Sequence, residues 1–177
     1  MLSRRRLIAI ASLAPLALAG GAQAAEPRKI AFVDTGNTGR SLMAETLARD
    51  LAQRGKLFAA FISRGLDVDP FDDAPEANGR TLMAERGFDT SAHRARRLDG
   101  FDVTHADVIL TMTAAHADKL VAAYPEAKAK TFTLAAYATG VDEPIPDAWG
   151  KPMADYRAVL AQLDRYLPLA LAKAMRP

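Results

Sequence analysis

One stretch restricts the fold more than any other part of the chain: "IAFVDTGNTGRSLMAE", residues 30–45. An apolar run ends at Asp34, a Gly-rich loop follows, and a helical pattern begins with no linker between them. Successive strand residues face opposite sides of a sheet, so a strand that is apolar at every position is buried on both faces. Such a strand leading straight into a helix is the first half of a βαβ unit. The rest of the chain repeats the alternation. Apolar strand-like runs occur at 29–35, 57–63, 107–112 and 130–136, with helical patterns at 41–55, 75–87, 113–124 and 151–175. Ser41 is expected as an N-cap, Gly55 and Gly87 as helix stops, and Pro152 just inside the last helix. The fold class that follows is α/β, three layers α/β/α around a four-stranded parallel sheet. In sheets of this kind ligands bind beyond the carboxyl ends of the strands, which is where residues 35–40 lie.

The loop itself, Thr35, Gly36, Asn37, Thr38, Gly39, Arg40 and Ser41, has the chemistry of an anion cradle. Gly36 and Gly39 let the backbone turn and approach a ligand, and Asn37 tolerates a left-handed conformation. Successive N–H groups in such a turn converge on one anion, and the N-terminus of the following helix adds partial positive charge. Arg40 supplies a planar fork of donors. The residue at the mouth of the strand, however, is a carboxylate, Asp34.

Residues 1–24 read as an export signal: a basic start at Arg4–Arg6, an apolar run from Leu7 to Ala19, and "AQA" before the expected cleavage. "SRRRLI" also fits the twin-arginine form of such signals. The apolar run is shorter than the roughly 20 residues a membrane span needs. The expected location is therefore the bacterial periplasm or the medium, with no membrane span after processing. Loss of the signal removes three arginines and no acid, leaving 153 residues with 20 basic and 21 acidic side chains. That balance gives no basis for nucleic-acid binding. A remainder of that length suits a single domain, residues 25–177. There is no cysteine, which excludes thiol catalysis, disulfides and Cys–zinc sites.

"VDTGNTGRSLMAE" resembles the signature loop of the low-molecular-weight protein tyrosine phosphatases, Cys, five residues, Arg, Ser. It is especially similar to the bacterial form "CTGNTCRSPMAE", found in phosphatases that include arginine phosphatases. Further segments resemble that family in order: "ISRG" at 62–65, "MAERGFDTSAHRARRL" at 83–98, "VILTM" at 108–112 and "PIPDAWGKPMADYRAVLAQL" at 144–163. By this resemblance Arg40 holds the phosphate, Asp147 is the general acid, Asn37, Ser41, Ser63 and His93 brace the loop, and Trp149 walls the pocket. The nucleophilic cysteine of the family is replaced by Asp34, and its second loop cysteine by Gly39.

Three functions stay open at this stage. In the first the chain is a pseudophosphatase, with Asp34 accepting the loop N–H groups and pairing with Arg40 in place of the anion. In the second it is an active phosphomonoesterase in which Asp34 attacks the phosphoryl group and Asp147 protonates the leaving group, if burial holds its proton. No cofactor is expected except in this second reading, where Mg²⁺ held by Asp34 and Asp147, with Asp142 or Glu143, offsets the repulsion between carboxylate and phosphate. In the third it is a periplasmic interaction module using the face around Trp149 and the acidic loop 64–76. The ligand class is a phosphate-type anion or a phosphorylated molecule. His105 and His116 are expected on the surface, and the spacing of the histidines forms no metal motif.

Overall fold

The computed structural model describes residues 25–176, so the proposed export signal lies outside the described residues. Its centre is β1 (Arg28–Asp34), buried without a break from Ile30 to Asp34. Three further parallel strands join it, β2 (Ala59–Gly65), β3 (Val108–Thr111) and β4 (Thr131–Thr133), in the order β2-β1-β3-β4. The register runs Arg28↔Ala59 to Asp34↔Gly65 on one side of β1 and Ile30↔Val108 to Val33↔Thr111 on the other. All four expected strands are present, and the sheet is parallel as the uninterrupted apolar run of β1 requires.

The period of two divides β1 between two cores. Ile30 and Phe32 face a large one, completed by Met43 and Leu47 of α1 (Arg40–Gly55) and by Val159, Leu163, Tyr166 and Leu167 of α6 (Met153–Ala174). The helix α2 (Ala77–Glu85) adds Leu82 and Met83 to that side. Ala31 and Val33 face a smaller core with Val103 of α3 (Gly100–His105) and Leu120 of α4 (Ala114–Ala123). These are the three expected layers.

Local signals account for the differences from the expected boundaries. The run 130–136 is not one strand: β4 stops at Thr133, whose Oγ1 accepts the Ala136 N–H and starts α5 (Leu134–Thr139). That helix ends at Gly140, in the left-handed region at φ 82°. A hydroxyl cap of this kind competes with strand continuation. The short helix α3, capped by Asp99, and a 3₁₀ helix at Pro125–Lys130 were not expected. Six residues are too few to show helical periodicity. Ser41 is not an N-cap; α1 starts at Arg40 with Gly39 preceding it. Pro152 stands just before α6 instead of inside it.

Gly65 closes β2 directly beneath the Gly-rich loop. A Cβ there would lie 2.6 Å from Val68 Cγ2 and 2.7 Å from the Thr35 carbonyl oxygen, one of them backbone of the loop itself. We expect Gly65→Ala to lower stability by about 1–3 kcal/mol through forced displacement of the loop, read from the midpoint of urea unfolding with an unchanged slope.

Candidate functional site

The loop 35–40 leaves β1 at the carboxyl edge of the sheet, and its shape is set by Asn37 and Asp34 together. Asn37 is fully buried in a left-handed conformation, φ 59°. Its side chain donates to Ser41 Oγ (3.0 Å) and accepts the Arg96 N–H (2.9 Å), while His93 Nε2 donates to its carbonyl (2.8 Å). One asparagine thus ties the loop to α1 and to the segment after α2. Asp34 does the rest. Its carboxylate, 3% exposed, accepts the Asn37 N–H at 2.6 Å and the Ser41 N–H at 2.8 Å.

That second bond explains the missing cap on α1. Gly39 has no side chain to receive the free N–H groups of the first turn, which need an acceptor. Asp34 provides it from the end of the strand. Backbone N–H groups at a helix start are where this fold would hold an anion, and here a carboxylate of the chain already receives two such bonds.

The sequence-based pairing of Asp34 with Arg40 is not what the structure shows. The Arg40 guanidinium, itself buried, donates to the Ile145 carbonyl at 3.0 Å and lies 3.4 Å from Asp147 Oδ1. The Ile145 carbonyl and Asp147 hold the fork at the segment 145–149. Asp147 is therefore brought to the site, but its side chain is 60% exposed, without the burial that the general-acid reading required. Trp149 follows on the same rim, 64% exposed, with its N–H donated to Asp147 Oδ1 (3.2 Å).

Ser63 is buried on β2 and donates to Glu45 of α1, one turn beyond the loop. It braces the helix and makes no hydrogen bond to the loop. Asp142 and Glu143, considered as helpers of a Mg²⁺ ion, are tied elsewhere: Asp142 accepts from Thr133 Oγ1, and Glu143 accepts from Gln162 and Tyr166. Among the described residues no group of three or more histidine or carboxylate side chains is placed to hold a metal ion.

Two residues of the site went unrecognised in the sequence. His116, expected on the surface, is half-buried: Nε2 hydrogen-bonds Thr35 Oγ1 (2.9 Å) and Nδ1 bonds Thr113 Oγ1 (3.0 Å). Burial first, and then the nearby Arg40, hold its imidazole below the ordinary range, while Asp34 and Asp147 act against them. Thr113, N-cap of α4, was the available signal, since it places His116 in the first turn at a sheet edge. The other is Glu76. Its N–H bonds the Thr38 carbonyl (3.1 Å), and a Cβ added to Gly39 would meet its Oε2 at 3.2 Å. The small residue at 39 is what gives this carboxyl room.

Together these residues line a cavity of about 290 Å³. Its floor is Asp34 and the loop; its walls include Tyr156, Ala148 and Trp149 on one side and Asp67, Asp69, Asp72 and Glu76 on another. The acidic loop after β2 is fastened there by the main chain, with Leu66 N–H on the Asp34 carbonyl (3.0 Å) and Asp67 N–H on the Thr35 carbonyl (2.8 Å).

The parallel sheet, the loop and its arginine define a phosphatase fold, and the chain belongs to the low molecular weight phosphotyrosine protein phosphatase family, whose model matches residues 29–176. The protein-arginine-phosphatase of Geobacillus stearothermophilus is 35% identical over 141 residues, 78% of this chain and 90% of that one. A mutant of YwlE from Bacillus subtilis superposes with a TM-score of 0.79 at 27% identity, covering 84% of this chain and 99% of that one. A second YwlE arginine phosphatase mutant, with a phosphorylated active-site serine, gives 0.78 at 28% identity, over 81% and 93% of the two chains. The family consists of phosphatases, proteins that take phosphate-type ligands. None of its members' thiol chemistry is available to a chain without cysteine.

The Glu76 carboxyl is pushed up from its ordinary 4.5 by burial foremost, with Asp147 and Asp72 adding to the rise and a hydrogen bond with Tyr156 opposing it. A folded-state value above the unfolded one gives stability that is complete below 4.5 and is lost as pH rises through the folded value. We therefore expect Glu76→Gln, which removes that loss, to gain stability relative to the parent as pH rises from about 4.5, and to show no gain below it. Urea midpoints of the two proteins across pH 3.5–8 measure this.

Proposed function

We propose that this chain is a pseudophosphatase: it keeps the family's loop and has given up its chemistry. One observation carries the reading. The carboxylate at the nucleophile position receives the Asn37 and Ser41 N–H groups, so a negative charge of the chain's own already occupies the floor of the loop. A phosphate entering the site would meet that charge. Two unit charges about 4 Å apart repel by roughly 4 kcal/mol at an effective dielectric near 20, and more for a dianion. Arg40, the cation that should offset this, is turned to Ile145 and Asp147.

A second reading has its own support. In the YwlE mutant with a phosphorylated active-site serine, a side-chain oxygen of the active site has taken a phosphoryl group. Asp34 as nucleophile would form an acyl phosphate as the bond from phosphorus to the leaving oxygen breaks, with water then cleaving the new bond. A third, non-enzymatic use, an interaction module built on the Trp149 rim, is compatible with the first. We propose further that the protein works in the periplasm or outside the cell, on the strength of residues 1–24 and of a cysteine-free loop, which is indifferent to oxidation.

Hydrolysis of p-nitrophenyl phosphate from pH 4 to 8, with and without Mg²⁺, decides between these. The parent is expected to be inactive, and Asp34→Cys to gain turnover of roughly a hundredfold or more over it. Parent activity that disappears in both Asp34→Ala and Asp147→Ala would establish aspartate-based catalysis instead.

A further inference from the structure

The cavity is negative. Six carboxylates line it, Asp34, Asp67, Asp69, Asp72, Glu76 and Asp147, against one arginine, Arg40. That arginine already has partners in Asp147 and the Ile145 carbonyl. Asp34 is buried with two amides as donors, and among the described residues no lysine, arginine or histidine forms an ion pair with it. A buried carboxylate without a counter-cation is costly. This one sits at the floor of a cavity whose other walls repel anions. A site for an anion carries the opposite balance of charge.

The rim supplies the second half of the recognition. Trp149 stands 64% exposed on one side, and Phe71, 97% exposed, projects from the loop between Asp69 and Asp72. Exposed aromatic faces beside carboxylates suit a long basic side chain, whose alkyl stem packs on a ring while its charged head goes deeper. The carboxylates are spread around the wall, and among the described residues no three converge as a metal site would need. An extended organic cation fits that spread. Glu76, pushed up by burial foremost and then by Asp147 and Asp72, shares the cavity wall with those carboxylates, whose repulsion an entering cation would relieve.

We propose that the cavity binds the ammonium or guanidinium head of a lysine or arginine side chain presented by a basic segment of a partner protein. The inference rests on the pseudophosphatase reading and names the partner class for it. Asp34 then does for a cation what the family's loop does for a phosphoryl group. Charge complementarity selects the head group, and Phe71 and Trp149 hold the flanking chain.

Trp149 is the only tryptophan of the chain, so its fluorescence reports the rim directly. The purified protein is titrated with N-acetyl-arginine amide, N-acetyl-lysine amide and a short arginine-containing peptide, and in parallel with inorganic phosphate and phenyl phosphate. The cations are expected to give a saturable change, strongest for the peptide, and the phosphates none. Asp34→Asn should weaken binding about tenfold or more, as should the double variant Asp69→Asn/Asp72→Asn, whose positions are exposed and whose amide at 69 keeps an oxygen to accept the Phe71 N–H. A saturable signal with phosphate and none with the cations overturns the inference, and so does cation binding that both variants leave unchanged. Hydrolysis of p-nitrophenyl phosphate is followed in the same samples. Turnover by the parent overturns the pseudophosphatase reading, whereas no turnover together with no cation binding overturns the present inference alone.

Discussion

The site depends on one carboxylate bonded to the start of a helix. Asp34 stands at the last position of the central strand and receives N–H groups from Asn37 and Ser41, so strand, loop and α1 are joined at a single side chain. The bond to Ser41 replaces the cap that Gly39 cannot make, and the bond to Asn37 helps hold a left-handed residue in place. Charge-assisted bonds of this sort are about twice as strong as neutral ones. The same two bonds shape the loop and occupy it. A carboxylate at this position therefore does more than stand in place of a thiol: it puts a negative charge of the chain's own on two amides of the loop.

The surroundings have adjusted to that charge. Arg40 is engaged by the Ile145 carbonyl and by Asp147, which ties the 145–149 segment to the start of α1. Gly39, standing where the family's second loop cysteine is expected, leaves room for the Glu76 carboxyl. The acidic loop after β2 is then clamped to the backbone of the anion loop by two main-chain bonds. Each step adds negative charge to the cavity or neutralises its one arginine. Near-neutral overall composition conceals this, because the balance of the whole chain says nothing about which charges share a wall.

Much of the fold was legible because it is encoded in local periodicity. An apolar run such as 30–33 requires a doubly buried strand, and the 3.6-residue patterns of α1 and α6 require helices to cover it. The loop was legible for a similar reason, since glycines, an asparagine and an arginine between a strand and a helix have few other uses. What escaped was tertiary. Ser41 looks like a cap in sequence and is displaced by a carboxylate seven residues earlier. His116 is 81 residues from Thr35 in the chain, and Arg40 is 105 from the carbonyl that turns it. No period or motif reports a contact at that range. Helix α3 was missed for a different reason, being held by a single aspartate cap over six residues.

Fold and thiol chemistry are separable in this chain, which has no cysteine, because they depend on different atoms of the same loop. The shape needs Asn37, the buried acceptor at 34 and the helix behind them, and any acceptor of the right reach satisfies the two amides. Thiol chemistry needs a nucleophile that nearby amides activate, together with an arginine free to donate to two phosphoryl oxygens. In this chain the Asn37 and Ser41 amides are taken by Asp34, and Arg40 is engaged by the Ile145 carbonyl and Asp147. A thiol at 34 would therefore keep an acceptor at the end of the strand but lose the bidentate hold that Asp34 has on Asn37 and Ser41. Loop geometry and nucleophile strength are then in opposition: the group that holds two of the loop's amides at once is a weaker nucleophile than a thiolate.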